Sequence, residues 1–310
     1  MVVVVANKND IHAMAVHNEV YSQGGQCSIL DIGELCRGDS LYHSQRPNKS
    51  YLTTEQGRIK ISGIKSLWYR RPYYSETDQN IYDREARLFT EREWRQTCEG
   101  LFHSLEKTLI VNRIGSVYDL SKTYQLFMAK KAGLTVPDTI VTNSHIDVKK
   151  FYAKHEGKII HKALTATNDT FLTTKLFSKN DFKYLNRLYC CPTIFQELIE
   201  GDFDFRVTVI NEKIYTARIA TYENKGLIDS RIDLTLKYER FEFDDQMNKR
   251  ILTLIKSLGL RFGTADFKLG KDGRLYFLEV NPQGQFIYVQ LLTGMPLVKE
   301  MAKFLLSGAA

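Results

Sequence analysis

Residues 263–285 read GTADFKLGKDGRLYFLEVNPQGQ. Apolar-alternating runs flank Lys271-Asp272-Gly273, and Asp-Gly between such runs marks a β-hairpin. Counting back from the turn, Asp266 falls opposite residues 277–279, depending on turn register. Glu279 and Asn281 are two apart and share one face of their strand. One face of one hairpin can therefore present Asp266, Glu279 and Asn281 together. Three hard oxygen ligands without His or Cys suit Mg²⁺, which prefers one or two carboxylates plus phosphate oxygens. A solvated hairpin with ordinary surface carboxylates is the alternative. Phe267, Leu269, Leu275, Phe277, Leu278 and Val280 weigh against it: the strands read as largely buried, and a buried carboxylate needs a partner or a metal.

The rest of the 310-residue chain allows one to three domains with a sizeable core. No apolar run approaches the roughly 18 residues of a membrane span. The apolar stretch 2–6 is too short for a signal peptide, lacks a basic flank, and reads as a buried first strand. The five cysteines include the adjacent pair Cys190-Cys191 and show no zinc spacing, which fits reduced thiols in a cytoplasmic protein. The net charge of +7 favours anionic partners. Residues 146–190 hold nine Lys/Arg against four Asp/Glu; a solvated surface accounts for most of these. With no zinc finger, basic-region heptad or RNP-like aromatic motif, nucleic acid is not the expected partner.

Strand and helix alternate over the first hundred or so residues. Strands are expected over 2–6, 27–32, 52–61 (one or two), 66–69 and 109–112, with helices over 11–23 and 81–105. This describes a small α/β domain with a parallel sheet. A second unit begins near Asp119. Residues 121–132 are helical, with Leu126, Phe127, Ala129 and Ala132 on or near one face and Gly133 as the stop. Strands follow over 139–142, 158–161 and 193–196, with a helix starting at Ser144 or Asp147. A hairpin spans 205–210 and 214–219, a helix 244–258, and a closing helix 297–307.

The order of the parts is informative. Lys122 sits at a helix start and Lys162 at a strand end. Gln196, Glu197, Leu198 and Ile199 form a strand and its exit. Asp204-Phe205-Arg206 comes next, then Arg218, then the Asp266 and Glu279-Val280-Asn281 hairpin. This ordered set resembles the ATP-grasp superfamily, specifically its carboxylate–amine/hydroxyl ligases, over about residues 119–285. The resemblance implies an α/β (α+β) chain with three parts: a pre-ATP-grasp α/β domain over 1–117, a central small α+β subdomain over 118–196, and a C-terminal antiparallel-sheet subdomain over 197–310. It further implies that Lys122 and Lys162 bind ATP phosphates. Gln196 to Ile199 would hold adenine through backbone groups, with Glu197 or Glu200 at the ribose and Asp204 beside them. Arg206 and Arg218 would stabilise charge on the phosphoryl group, while Asp266, Glu279 and Asn281 hold two Mg²⁺. Phosphoryl transfer is mostly positioning and charge neutralisation, which agrees with such a set. Each residue has a plainer reading: Lys122 a solvated helix lysine, Asp204 with Arg206 a strand ion pair, Arg218 a solvent-facing strand residue.

Many ATP-grasp ligases carry a glycine-rich loop after the second lysine. Here residues 163–170 read ALTATNDT, without glycine. Together with SLWYRRP (66–72), PDTIVTN (137–143) and EVNPQGQF (279–286), this is similar to the microviridin-type peptide macrocyclases, or graspetide synthetases. Such enzymes phosphorylate Asp or Glu side chains of a ribosomal precursor peptide and close ω-ester or ω-amide rings with its Thr/Ser hydroxyls or Lys amines. The resemblance implies ATP and Mg²⁺ as cofactors, a precursor with a leader and an acidic core as partner, and a homodimer. The leader is expected on the lysine-rich central part and the 203–222 hairpin. Arg70 and Arg71, among Trp68, Tyr69, Tyr73 and Tyr74, either face the peptide or active site or belong to a packed strand end. A D-x-R element at Asp229 and Arg231 suggests that Arg231 orients the acceptor carboxylate and that Asp229 is a base for a hydroxyl nucleophile. Two other functions compete: a ligase that adds an amino acid to a carboxylate, like the ribosomal-protein glutamate ligases, and a nucleotide-binding module without catalysis.

Overall fold

The computed structural model describes residues 1–35, 40–46, 49–54, 57–71, 81–118, 120–164, 174–221 and 235–308. The N-terminal part runs β1 (Val2–Ala6), α1 (Ile11–Ser22), β2 (Cys27–Leu30), α2 (Ile32–Leu35), β3 (Ser40–Tyr42), β4 (Tyr51–Thr54), β5 (Gly57–Lys60), β6 (Ser66–Arg71), α3 (Arg84–His103), β7 (Leu109–Val111) and α4 (Gly115–Tyr118). Its main sheet has the order β2-β1-β6-β7, with all pairs parallel. The four valines of β1 are buried on both faces, as a central parallel strand requires. Strands β3, β4 and β5 form a small antiparallel sheet.

The expected strand over 27–32 stops at Leu30. Asp31 ends it: Oδ1 accepts from Gly33 N at 2.9 Å and Oδ2 from Lys8 N at 2.9 Å, a local turn that starts α2 instead. Asp10 caps α1 by accepting from His12 N and Ala13 N.

The middle of the chain holds α5 (Lys122–Lys131), β8 (Thr139–Thr142), α6 (His145–Lys154), β9 (Ile159–Lys162), β10 (Lys175–Leu176), a run of 3-10 turns (Lys179–Cys190) and β11 (Thr193–Glu197). The antiparallel sheet β10-β9-β11-β8 has its own core of Val148, Phe151, Ile159, Phe177, Leu185 and Phe195. Next come β12 (Phe203–Ile210), β13 (Lys213–Ala220), β14 (Tyr238–Phe241), α7 (Asp245–Ser257), β15 (Phe262–Leu269), β16 (Leu275–Asn281), α8 (Ile287–Thr293) and α9 (Leu297–Ser307). Their five-stranded antiparallel sheet is ordered β14-β13-β12-β15-β16. One face packs on α5 and α7 through Phe205, Val207, Ala265, Phe267, Phe277, Leu126, Ala129, Ile251 and Leu254. Helix α5 thus joins the C-terminal core. Its Phe127 points outward at 57 % exposure, a correction to the expected apolar face. The other face meets α1, α8, α9 and Trp68 in a core shared by the two ends of the chain. No helix among the described residues is long and apolar enough to cross a membrane.

Candidate active site

The hairpin of β15 and β16 turns at Gly270–Gly273. Gly270 N donates to Arg274 O and Gly273 N to Gly270 O, each at 2.9 Å, and Gly273 has φ +76°. The register pairs Asp266 with Glu279 and Thr264 with Asn281. A bulge lies between Asp266 and Phe267, so β16 advances from Phe277 to Glu279 while β15 advances by one residue. That extra residue, Leu278, reverses the alternation. Phe277 and Val280 both reach the α5–α7 core, while Glu279 and Asn281 stand on the other face with Asp266.

The next strand extends this face. Arg206 pairs with Asp266 across β12 and β15, and Asp204 with Lys268. Arg206 is 4 % exposed. Its Nη1 donates to both oxygens of Asp266, at 2.7 and 2.8 Å, and its Nη2 to Gln285 O at 3.2 Å. Lys268 Nζ donates to Asp204 Oδ1 at 2.7 Å. Lys122, at the first position of α5, lies 3.6 Å from Glu279 Oε2 and donates to Ala163 O at 3.1 Å. It bridges the C-terminal hairpin to the end of β9. The loop after β16 is tied back by Gln283 N donating to Asn281 Oδ1 at 2.9 Å.

Lys162 ends β9 and pairs with Ile194 on β11. Their face is the one turned away from the helix-packed core, and Val141 and Leu176 are exposed on it. Gln196 shares that face, buried, with Nε2 donating to Thr139 Oγ1 at 2.8 Å. Glu197 alternates to the opposite face: its Oε1 accepts from Asp138 N at 2.8 Å and its Oε2 is 3.8 Å from His155. Of the two acids expected at the ribose, Glu197 is thus held behind the sheet. Glu200, between β11 and β12, is partly exposed beside Lys158 at 3.2 Å and Lys271 at 3.9 Å. Leu198 N donates to Lys158 O at 2.9 Å, and Ile199 follows it beyond the end of β11.

Arg218 is not brought together with Arg206. It pairs with Phe205, one register step away, and so lies on the other face of the sheet. There it donates to Glu239 at 2.5 Å and covers the rings of Phe203 and Phe241. Arg218 and Lys237 hold the Glu239 carboxyl down to about 2. Asp229 and Arg231 lie outside the described residues, as do residues 165–170 of the Thr-rich loop and Tyr73 and Tyr74. Residues 203–221 of the hairpin expected to receive a leader are described; Tyr222 is not.

Sequence reasoning did not single out Lys268, His12 or Tyr238. Lys268 had a signal, two residues from Asp266 in β15. His12 and Tyr238 reach the region only through tertiary packing. His12 Nε2 accepts from Phe286 N at 3.0 Å and Ile287 N at 3.2 Å, and so carries no proton on that nitrogen. Burial, and then the Arg70 charge, push its pKa down to about 4. An unfolded His titrates near 6.5, so between pH 6.5 and 4 the unfolded chain binds a proton that the folded chain refuses. Folding stability therefore falls through this window, by at most about 3 kcal/mol from this group. Urea unfolding at pH 7 and pH 4.5 should show His12→Gln losing less stability than the wild type. Equal losses would show that His12 is not the group responsible.

Asp266, Glu279 and Asn281 form a hard-oxygen set on one face, suited to Mg²⁺ completed by phosphate oxygens. Among the described residues, no three His, Cys, Asp or Glu side chains form a protein-only metal cage.

Residues 1–118 match the family model for the MvdD pre-ATP grasp domain. No curated protein matches by sequence. Macrocyclase MdnC of Microcystis aeruginosa MRC, solved with precursor peptide MdnA, is 25% identical, with 98% of this chain and 99% of that chain covered and a TM-score of 0.89. A Chryseobacterium gregarium RiPP-associated ATP-grasp ligase, solved with ADP and a leader and core peptide, is 24% identical over 100% and 97% of the chains, TM-score 0.88. The ATP-grasp ligase PsnB, solved with a phosphomimetic variant of a minimal precursor, Mg and ADP, is 22% identical over 99% and 98%, TM-score 0.82. Residues 1–118 therefore match an MvdD pre-ATP grasp domain, and the whole chain has the fold of these ATP-grasp ligases.

Proposed function

We propose that the chain is an ATP-dependent peptide crosslinking ligase. A side-chain carboxylate of an acidic precursor peptide attacks the γ-phosphorus of ATP. The bond to the bridging oxygen breaks, and ADP leaves with the electron pair. A Thr or Ser hydroxyl, or a Lys amine, of the same peptide then attacks the acyl carbon, phosphate departs, and the nucleophile's proton passes to a base. The product is an ω-ester or ω-amide ring. One observation carries this reading: the bulged register sets Asp266, Glu279 and Asn281 on one face with Arg206, while Lys122 reaches from Glu279 to the end of β9. Positive donors and metal-suited oxygens thus converge on one face, which supports a polyphosphate there. The peptide-bound and ADP-bound relatives supply the substrate class.

In this reading Asp266, Glu279 and Asn281 hold Mg²⁺, as two ions, and bound Mg²⁺ neutralises phosphate charge. Lys122 and Lys162 receive phosphate oxygens, the Gln196–Ile199 backbone receives adenine, and Glu200 meets the ribose. Asp204 acts through Lys268, which it holds beside the same face. The divisions 1–117, 118–196 and 197–310 serve as pre-grasp, central and C-terminal parts. The roles given to Arg218, Asp229 and Arg231 and the homodimer rest on the resemblance alone, and the cytoplasmic location on the cysteine pattern. The positive charge of the chain favours an acidic peptide.

The test is mass spectrometry of a short peptide encoded beside this chain, after incubation with the full protein, ATP and Mg²⁺. The expected result is loss of about one water mass per ring, with one ADP released for each. A gain of a residue mass would point to an amino-acid ligase. No change in any acidic peptide, with ATP still bound, would point to a binding module.

A further inference from the structure

Arg70 is completely buried, near the C-terminal end of the parallel strand β6. The pairing of β1 with β6 slips between Val5–Tyr69 and Ala6–Arg71. Arg70 is the extra residue, and a bulge of this kind re-aims a side chain. Its guanidinium turns toward the loop after β16, where Nη1 donates to Gln283 O. Nε and Nη2 are buried without a hydrogen-bond partner, and so is Nε2 of Gln283, the residue whose carbonyl Nη1 holds.

Among the described residues, Asp10 Oδ1 and His12 Nε2 do not satisfy these donors. Asp10 Oδ1 is 3.8 Å from Arg70 Nε, beyond hydrogen-bond range, and already accepts from His12 N and Ala13 N. The acceptor nitrogen of His12 is occupied by Phe286 N and Ile287 N. A desolvated guanidinium with idle donors is costly, and the cost is relieved by an anionic oxygen. Burial also lowers the Arg70 pKa to about 10, so the group stays charged at neutral pH. The position is apt. Gln283 is two residues from Asn281 and two from Gln285, whose carbonyl Arg206 holds. The carboxyl ends of parallel strands are also the usual ligand crevice of such sheets. Asp10 and Gln283 are both partly exposed.

We propose that Arg70 and Gln283 form an oxyanion subsite that takes the side-chain carboxylate of the acidic peptide residue to be activated; this rests on the ligase reading above. Arg70 offers Nε and Nη2 to carboxylate oxygen and Gln283 offers Nε2, while Asp10 tempers the charge without competing for the hydrogen bonds. A phosphate oxygen has the same chemistry, so the two sources must be separated.

Thermal unfolding of the full chain with Mg·ADP would use glutarate, glutaramide and inorganic phosphate as probes. Glutarate at ten times its dissociation constant should raise the wild-type midpoint by about 2 °C, and glutaramide should not. Arg70→Met should remove the glutarate response and keep the response to ADP. Arg70→Lys should keep part of it. Gln283→Met leaves the carbonyl contact of Arg70 in place and should weaken glutarate about tenfold, which serves if Arg70→Met fails to fold. A glutarate response unchanged in Arg70→Met or Gln283→Met, or no response in the wild type, overturns the subsite. An Arg70-dependent response to phosphate but not glutarate overturns the carboxylate assignment. The ligase reading fails separately: an Arg70-dependent glutarate response with no ATP-dependent change in any acidic peptide sinks it and leaves the subsite. Crosslinking by Arg70→Met with wild-type KM for peptide does the reverse.

Discussion

Glu279→Gln is expected to cut turnover roughly a thousandfold while the protein stays folded. Glu279 is directly opposite Asp266, and its charge faces Lys122 at 3.6 Å, both side chains being partly solvent-exposed. An ion pair of that kind contributes about 1 kcal/mol or less to stability, so the melting temperature should move by only a degree or two. The loss falls on the chemistry. Glutamine keeps the shape and one oxygen but removes the negative charge that would hold a cation against the transferring phosphoryl group. Removing one such electrostatic element typically costs about 10²–10³ in kcat. ADP release measured at increasing Mg²⁺ is the check, with partial recovery expected at high Mg²⁺. Turnover within threefold of the wild type at low Mg²⁺ would remove Glu279 from the metal site. Asp266→Asn should behave differently, because Arg206 is buried against both oxygens of Asp266. Taking away that carboxylate leaves a buried cation undercompensated and destabilises the fold as well.

Gly201→Ala carries the largest expected structural effect. Gly201 lies between β11 and β12, and a Cβ there would sit 1.8 Å from Leu269 O. The obstructing atom is backbone, so no side-chain rotation relieves it. Leu269 is the first pairing partner of Phe203, and Lys271 N donates to Glu200 O at 2.8 Å across the same seam. Alanine must therefore pry the β11–β12 connection away from the start of the β12–β15 ladder. A loss of about 3 kcal/mol or more is expected in urea unfolding, with ADP binding at least tenfold weaker because the 196–200 segment is displaced. Gly63→Ala is the control, since nothing lies within 4 Å of a Cβ there. If the two variants unfold alike, the close approach at Gly201 is not a constraint.

The sequence carried much of this fold because local signals and burial agree. Asp10, Ser121, Ser144 and Asp244 each cap the helix that follows. Gly133 and Gly259 stop helices with φ of +82° and +69°. What escaped depends on contacts distant in sequence. The bulge at Leu278 is invisible in an alternating pattern, because Leu278 is as apolar as its neighbours. Without it, Asp266 and Glu279 would point to opposite faces. Arg218 looked equivalent to Arg206 because twelve positions along the chain say nothing about the face reached after a turn; the pairing of Arg218 with Phe205 decides it. Glu197 and Glu200 were indistinguishable by type, and strand parity separates them. Arg70 was legible as part of an aromatic-basic strand end, but not as a fully buried guanidinium.

The core shared by the chain's two ends also has a mechanical meaning. Val2, Val4, Ala13 and Val16 pack with Phe262, Phe286, Met301 and Leu305, so the pre-grasp sheet and the C-terminal sheet are welded into one block. The sheet of β8 to β11 has a separate core and stands outside that weld. On the proposed function, closure around a nucleotide would fall to that sheet, as a jaw against a fixed anvil. The anvil carries Asp266, Glu279, Asn281, Arg206 and Arg70, so the spacing between the proposed metal face and the proposed carboxylate subsite would be set within one block, independent of the jaw.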